Sequence, residues 1–228
     1  MKGINFFKLV LFSLFSSSLI IGCNKTIELS DNSLCRDQIF ICLHDKKVLE
    51  VITNKGSFEL EIDGRFSPVT AGNFLDLVKK GFYNKTIFTK VVKDPKPFIV
   101  ESGVIQSRPN HIKGNSIKGL NYIDPRKGFV RYIPLEISLK DESIPRYNQL
   151  IPSQIIKRIN LPHKKGSISM SRSQTLDSAS AQFYISLRDL PELDGRYAVF
   201  GTVINGLDVL ELIEEGDQII MIKNTGNI

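Results

Sequence analysis

Few side chains of this sequence stand in a pattern that would support covalent chemistry. His44, His111 and His163 lack a carboxylate at a spacing typical of acid–base catalysis. Ser171 and Ser173 lie in a Ser-rich stretch without a nucleophile motif. The cysteines do not have the short spacing of a metal or redox pair. The sequence therefore disfavours hydrolytic and metal-dependent chemistry.

Two stretches instead bring together side chains that could bind a ligand. The first contains Lys90 and Glu101, with Phe98 and Ile99 between them. The second is SAQFYISLRDLPELDGRYAVFGTV at 180–203, which mixes aromatic, apolar and amide side chains. By themselves, the apolar members would fit a protein core equally well. Lys90 and Glu101 would also fit a solvated cross-strand ion pair of little energetic worth.

Short strands and two helices must position these residues. Alternating apolar and polar residues predict a hairpin at 47–62, with a turn at Asn54-Lys55-Gly56. Ser67-Pro68 predicts a helix start with Ser67 as cap, and Gly81 ends that helix. Further strands are predicted at 83–92, 98–105, 130–139, 166–171, 181–187, 198–204 and 219–223, a second helix at 207–215, and an insert at 140–162.

The predicted elements indicate a mainly β fold. We expect a closed antiparallel eight-stranded barrel capped by two α-helices. The chain has 228 residues, of which 42% are hydrophobic and 24% are charged, so it can bury one core of ordinary size. The net charge of +6 is interspersed along the chain rather than clustered. This pattern argues against nucleic-acid binding.

The N-terminus has the pattern of an export signal. Lys2 and Lys8 precede an uncharged apolar run at 9–21, which is too short to span a bilayer comfortably. The run ends in Gly22-Cys23, which resembles the bacterial lipobox, and this predicts a lipoprotein signal peptide at 1–22 with Cys23 as the lipidated residue. An ordinary signal peptide with an incidental Cys is the alternative.

The residues after Cys23 are predicted to form a tether at 23–46 that leads into a domain at 47–228. Cys35 and Cys42 lie in that tether. An extracytoplasmic compartment would permit a disulfide between them, and two unpaired thiols fit the sequence equally well.

The order of several motifs resembles that of the cyclophilins, the prolyl-peptide isomerases. The resemblance covers 49–224, and its most specific part is QFYI with LDGRYAVFG within 180–203. Four further motifs occur in the same order along the chain as in the family: SPVTAGNF at 67–74, GFYNKTIF at 81–88, GSISMSRS at 166–173 and GDQI at 216–219.

The resemblance implies a proline site built from both stretches. It assigns catalysis to Lys90 and Glu101, and substrate binding to Phe98, Ile99, Ser171, Arg172, Ser173, Gln182, Tyr184, Leu193 and Tyr197. It implies no cofactor and no metal, because rotation about a prolyl bond makes and breaks no covalent bond. We expect a monomer.

Two departures from the family pattern concern catalysis. Lys90 stands where the family has its catalytic Arg, and Glu101 stands where it has a Gln. Lys keeps the charge but lacks the planar fork of five donors. The sequence therefore predicts an isomerase of reduced activity.

We expect this isomerase to assist the folding of proline-containing exported polypeptides. The lipobox places it in the cell envelope, outside the cytoplasm and lipid-anchored to a bacterial membrane. Two alternatives stay open: a chaperone that binds prolyl peptides without turning them over, and a surface interaction lipoprotein that uses the insert at 140–162.

Overall fold

The computed structural model describes residues 34–35, 40–104, 121–125 and 127–226, and one eight-stranded antiparallel sheet dominates it. The predicted signal peptide at 1–22, Cys23 and His111 lie outside the described residues. The strands of the sheet are β1 (Lys46–Thr53), β2 (Gly56–Asp63), β3 (Lys90–Val92), β4 (Ile99–Ser102), β7 (Ser167–Met170), β8 (Phe183–Ser186), β9 (Val199–Asn205) and β10 (Ile219–Asn224). They lie side by side in the order β10-β1-β2-β9-β7-β8-β4-β3.

The first two strands form the hairpin that the sequence predicts. They pair from Lys46 opposite Asp63 to Thr53 opposite Gly56. Leu49 and Leu60, opposite each other, are both fully buried. The alternation of the two strands therefore places one face on the core, because successive strand side chains point to opposite faces.

The predicted closed barrel is wrong, because the sheet is a strongly curled half-barrel that stays open between β10 and β3. The segment that would close it, predicted as a strand from residue 83, begins as a series of turns. Its strand pairing is limited to isolated bridges of Ile87 to Val104 and Gln218, beside backbone hydrogen bonds of Lys85, Thr86 and Phe88 to the segment 216–219. One bridge on each side links the two edges without forming a continuous ladder.

The helix α1 (Pro68–Lys79) starts where the sequence predicts, but its N-terminal amides have an unforeseen partner. Ser67 makes no side-chain capping bond, and its hydroxyl donates to the Val199 carbonyl at 2.9 Å. The Glu136 carboxylate instead accepts from the backbone N–H groups of Val69 at 3.1 Å and Thr70 at 2.8 Å. Free N–H groups at a helix start need such acceptors.

The main core lies between α1 and the concave face of the sheet. Phe74 of α1 is fully buried, and its ring contacts those of Tyr83, Phe183 and Phe200. The second helix, α2 (Leu207–Leu212), is shorter than predicted and buries Leu210. None of the helices in the described part of the chain has the length and apolar character needed to cross a bilayer.

The end of the predicted tether packs on α1. The Leu43 N–H donates to the Pro68 carbonyl at 3.0 Å, and Cys42 is disulfide-bonded to Cys35. The chain approaches α1 so closely at Gly72 that a Cβ atom there would overlap the Ile41 carbonyl oxygen. This contact requires glycine at a position inside a helix.

The insert at 140–162 forms a small second sheet with the residues just before it. Of the strand predicted at 130–139, only β5 (Glu136–Ile137) forms, and it pairs with β6 (Arg146–Tyr147). A 3-10 helix (Ser153–Arg158) follows. Together these segments bury a second apolar cluster: Leu135, Ile137, Leu139, Ile151, Ile159 and Ala198.

Candidate active site

Strand register places the two predicted catalytic residues in one row. Lys90 of β3 lies opposite Glu101 of β4, and Glu101 lies opposite Tyr184 of β8. Tyr184 in turn lies opposite Ser169 of β7. Directly opposed residues share a face of an antiparallel sheet. The row therefore lies on the face opposite the core, because the alternating neighbours Val100 and Ile185 belong to the main core.

A cleft of about 250 Å³ opens over this row. Nine of the eleven predicted catalytic and substrate-binding residues line it: Lys90, Phe98, Ile99, Glu101, Ser171, Arg172, Tyr184, Leu193 and Tyr197. Its apolar wall is a cluster separate from the main core, in which Ile99, Tyr184 and Leu190 are buried and Phe98, Leu193 and Tyr197 pack against them. A small apolar ring is the kind of ligand that fits a cleft of this composition.

Ser173 and Gln182 are not among the residues that line the cleft. Ser173 is exposed, and its backbone N–H donates to the Ser178 hydroxyl at 2.9 Å. The backbone carbonyl of Gln182 accepts from the Ser171 N–H at 2.9 Å. The substrate-binding roles of both residues stay predictions.

Lys90 and Glu101 both line the cleft. Both belong to the described part of the chain, and no ion pair joins their side chains there. Lys90 is exposed at the rim, and Glu101 is half-buried. The backbone of Glu101 contributes to the ladder, since its carbonyl accepts from the Thr89 N–H at 2.9 Å. The Lys90 ammonium is therefore not paired with the Glu101 carboxylate on the neighbouring strand.

The guanidinium of Arg172, which lines the cleft, is held by backbone carbonyls. Arg172 donates to the Arg196 carbonyl from Nε at 3.1 Å and from Nη2 at 2.8 Å, and to the Ser173 carbonyl from Nη1 at 2.8 Å. Its guanidinium carbon lies 4.8 Å from the centre of the Tyr197 ring, within range of a cation–π interaction. Arg172 therefore holds Tyr197 at the rim by contacts that the sequence did not reveal.

His163 has a carboxylate partner, contrary to the expectation from its sequence spacing. Its Nδ1 lies 2.8 Å from Asp194 Oδ1, and its Nε2 lies 2.9 Å from the Tyr184 hydroxyl. The Ser169 hydroxyl lies 3.2 Å from the same Nε2. Burial raises the pKa of the Tyr184 phenol above its usual value, so the hydroxyl keeps its proton.

One signal in the sequence could have pointed to this cluster. A buried Tyr must find a hydrogen-bond partner for its hydroxyl, and Tyr184 lies inside an apolar strand. The identity of that partner was not readable, because His163 lies 21 residues away in a loop. A similar signal marked Glu136, a lone charge in the apolar run Ile133-Pro134-Leu135-Glu136-Ile137.

Comparisons with known proteins agree on one family. The model of a family described as cyclophilin type peptidyl-prolyl cis-trans isomerase/CLD matches residues 48–226. A Synechocystis protein with the provisional name of a thylakoid lumen peptidyl-prolyl cis-trans isomerase is 32% identical over 192 residues, which are 79% of this chain and 47% of that protein. This chain thus spans about half the length of that relative.

In two further comparisons, the aligned region covers most of this chain and most of the other protein. The peptidyl-prolyl cis-trans isomerase of Helicobacter pylori is 30% identical over 167 residues, which are 72% of this chain and 78% of the relative. The crystal structure of a Cryptosporidium parvum cyclophilin type peptidyl-prolyl cis-trans isomerase superposes with a TM-score of 0.56 at 25% identity. That superposition covers 80% of this chain and 99% of the other.

Proposed function

The chain belongs to the cyclophilin-type peptidyl-prolyl cis-trans isomerases, enzymes of class EC 5.2.1.8, and on this premise we propose that it turns over prolyl bonds of exported polypeptides at a reduced rate. The observation that carries the proposal is the cleft, which combines an apolar wall with a cation at its rim. Phe98, Ile99 and Leu193 would hold the proline ring. Lys90 would act on the amide.

The reaction that the cleft would catalyse is rotation about one bond, the prolyl peptide bond. Amide resonance raises a barrier of about 18–20 kcal/mol against that rotation. In the twisted state the amide nitrogen recovers a lone pair and can accept a hydrogen bond. A cation near that nitrogen stabilises the twisted state more than the planar one, which is the condition for catalysis. The Lys90 ammonium is the group proposed for this contact.

The reduced rate follows from the donor geometry at the rim. Lys90 is exposed on a flexible stem, whereas an Arg would present a planar fork. A hydrogen bond to a charged group contributes roughly 1.5–3 kcal/mol, so a poorly held donor costs about 10- to 100-fold in rate. Glu101, half-buried opposite Lys90, is proposed to orient the ammonium by its charge rather than by direct pairing.

An isomerase assay on Ala-Pro and Leu-Pro peptides tests this function. Wild type should accelerate exchange, and Lys90→Arg should raise kcat/KM by about 10- to 100-fold because the fork restores directed donors. Lys96→Arg, in the exposed turn before Phe98, is the matched control and should leave kcat/KM unchanged. No gain from Lys90→Arg would refute Lys90 as the cause of a reduced rate.

The wild-type rate in this assay also tests the alternative of a non-catalytic chaperone. That alternative is favoured by the replacement of the family's Arg by Lys90. A wild-type rate equal to the uncatalysed rate at high protein concentration, with prolyl peptides still bound, would refute the isomerase and favour the chaperone. Deletion of the insert with loss of partner binding would favour the surface interaction protein.

We also propose an extracytoplasmic location with a lipid anchor at Cys23. The Cys35–Cys42 disulfide supports an oxidising compartment. The name of the Synechocystis relative, which places that protein in the thylakoid lumen, supports export. More than one acyl chain on Cys23 would be needed for stable anchoring, since a single chain binds membranes only marginally.

A further inference from the structure

The chemistry of the isomerisation described above does not require the buried polar cluster beneath the cleft. Rotation about a prolyl bond moves no proton, so it needs no relay of titratable groups. Yet Asp194, His163 and Tyr184 form a continuous hydrogen-bonded chain that ends at the floor of the cleft. His163 is 2% exposed and Tyr184 is 4% exposed, so this chain is part of the interior.

The proton positions in this chain follow from its acceptors. Asp194 Oδ1 accepts from the His163 backbone N–H at 2.7 Å and lies 2.8 Å from His163 Nδ1. A carboxylate can only accept, so Nδ1 carries the proton, and in a neutral ring Nε2 is then an acceptor. The Tyr184 hydroxyl then donates to Nε2 at 2.9 Å. Each polar group of the chain has a partner in this arrangement.

A hydrolytic role for these residues conflicts with their burial. Ser169, His163 and Asp194 have the order of groups found in a Ser-His-Asp triad, with Ser169 Oγ 3.2 Å from Nε2. Ser169 is fully buried, however, so no substrate carbonyl can reach its oxygen. The same Nε2 is also engaged by the Tyr184 hydroxyl. The arrangement therefore orients side chains rather than activating a nucleophile.

His163 connects two walls of the cleft. Through Nε2 it holds Tyr184 of β8, and through its backbone carbonyl it accepts from the Leu190 N–H at 3.0 Å. Through Asp194 it also holds the end of the 3-10 helix Pro191–Leu193, which presents Leu193 to the cleft. His163 thus ties the Tyr184 floor to the Leu193 wall by its side chain and its backbone.

We propose that His163 and Asp194 are positioning residues that lock Tyr184 in place and make the cleft selective for the five-membered proline ring. The inference rests on the proposed function and adds its specificity. A rigid apolar pocket rejects one additional methylene by about 10- to 200-fold. A floor that can shift adapts to a larger ring and loses that discrimination. Release of Tyr184 should therefore relax ring-size selectivity more than it changes general activity.

Peptides that differ only in ring size test the proposal. Azetidine-2-carboxylic acid, proline and pipecolic acid are placed at the same position, and exchange NMR measures kcat/KM for each. Wild type should favour proline over pipecolic acid by about tenfold or more. Tyr184→Phe removes the hydroxyl that is held, and His163→Leu removes the group that holds it. Each should lower this preference by about threefold or more.

The double variant distinguishes positioning from a general loss of stability. If both residues act through one hydrogen bond, the double variant should lower the preference no further than either single variant. Independent effects that multiply would overturn the proposal, as would an unchanged preference in Tyr184→Phe. The exposed His44→Leu is the matched control and should keep the wild-type preference.

The wild-type protein provides a readout that does not depend on any variant folding. Long-range proton–nitrogen NMR should find His163 as the neutral tautomer with its proton on Nδ1, and a proton on Nε2 would overturn the proposal. If wild type turns over none of the three peptides, the proposed function fails. Positioning is then judged from the dissociation constants of the same peptides, which should show the same ring preference.

Discussion

The buried carboxylate of Glu136 makes folding stability depend on pH in a direction opposite to that of most acidic residues. Glu136 is fully buried and accepts from the backbone N–H groups of Val69 and Thr70 and the hydroxyls of Thr70 and Tyr147, the last at 3.0 Å. Burial nevertheless outweighs these donors and raises the pKa of the carboxyl from 4.5 to about 7.

The sign and size of the effect follow from this pKa. Between pH 4.5 and 7 the folded state holds a proton on Glu136 that the unfolded state has lost. The free energy of unfolding must therefore fall as the pH rises through this window and level off above it. Each pKa unit corresponds to 1.36 kcal/mol, so the total loss is on the order of 3 kcal/mol.

Urea unfolding of wild type and Glu136→Gln from pH 4 to 8 measures the effect. The amide does not titrate, so the difference in unfolding free energy between the two proteins isolates Glu136. Wild type should lose on the order of 3 kcal/mol relative to the variant between pH 4.5 and 7. Equal slopes, or a wild type that gains relative stability with pH, would refute the dominance of burial over the four donors.

Glu142→Gln, in the adjacent insert, is the matched control. The Arg146 guanidinium lowers the pKa of the Glu142 carboxyl by a direct hydrogen bond. Its contribution is present above the ordinary carboxyl pKa and is lost as the pH falls. The difference between wild type and Glu142→Gln should therefore change with the opposite sign and at lower pH.

Two further predictions concern the N-terminal part of the chain. Gly72→Ala should destabilise the protein by about 1–2 kcal/mol, because the alanine Cβ would overlap the Ile41 carbonyl. This loss is expected although Ala is favoured over Gly inside a helix by about 1 kcal/mol. A raised midpoint in urea unfolding would contradict this packing. Cys23→Ser should abolish incorporation of labelled palmitate and move the protein from the membrane to the soluble fraction, whereas Cys35→Ser should keep the label. A membrane-bound Cys23→Ser protein would refute the anchor.

The sequence is sufficient to predict the elements whose signals are local. The hairpin of β1 and β2 follows from alternation and a Gly turn, and the start of α1 follows from Pro68. It also determined the family, because five motifs occur in one order along the chain, and the family comparisons confirm this interpretation. Nine of the eleven predicted catalytic and substrate-binding residues consequently lie around one cleft.

Contacts between distant segments become visible only in the folded chain. Glu136 reaches the Val69 amide across 67 residues, and His163 reaches Asp194 across 31. Likewise, the half-barrel stays open because turns occupy the segment before Ile87, where periodicity predicted a strand. Periodicity reports which face of a local element is buried. It contains no information on which buried polar groups become partners, since irregular segments bring those groups together only when the whole chain has folded.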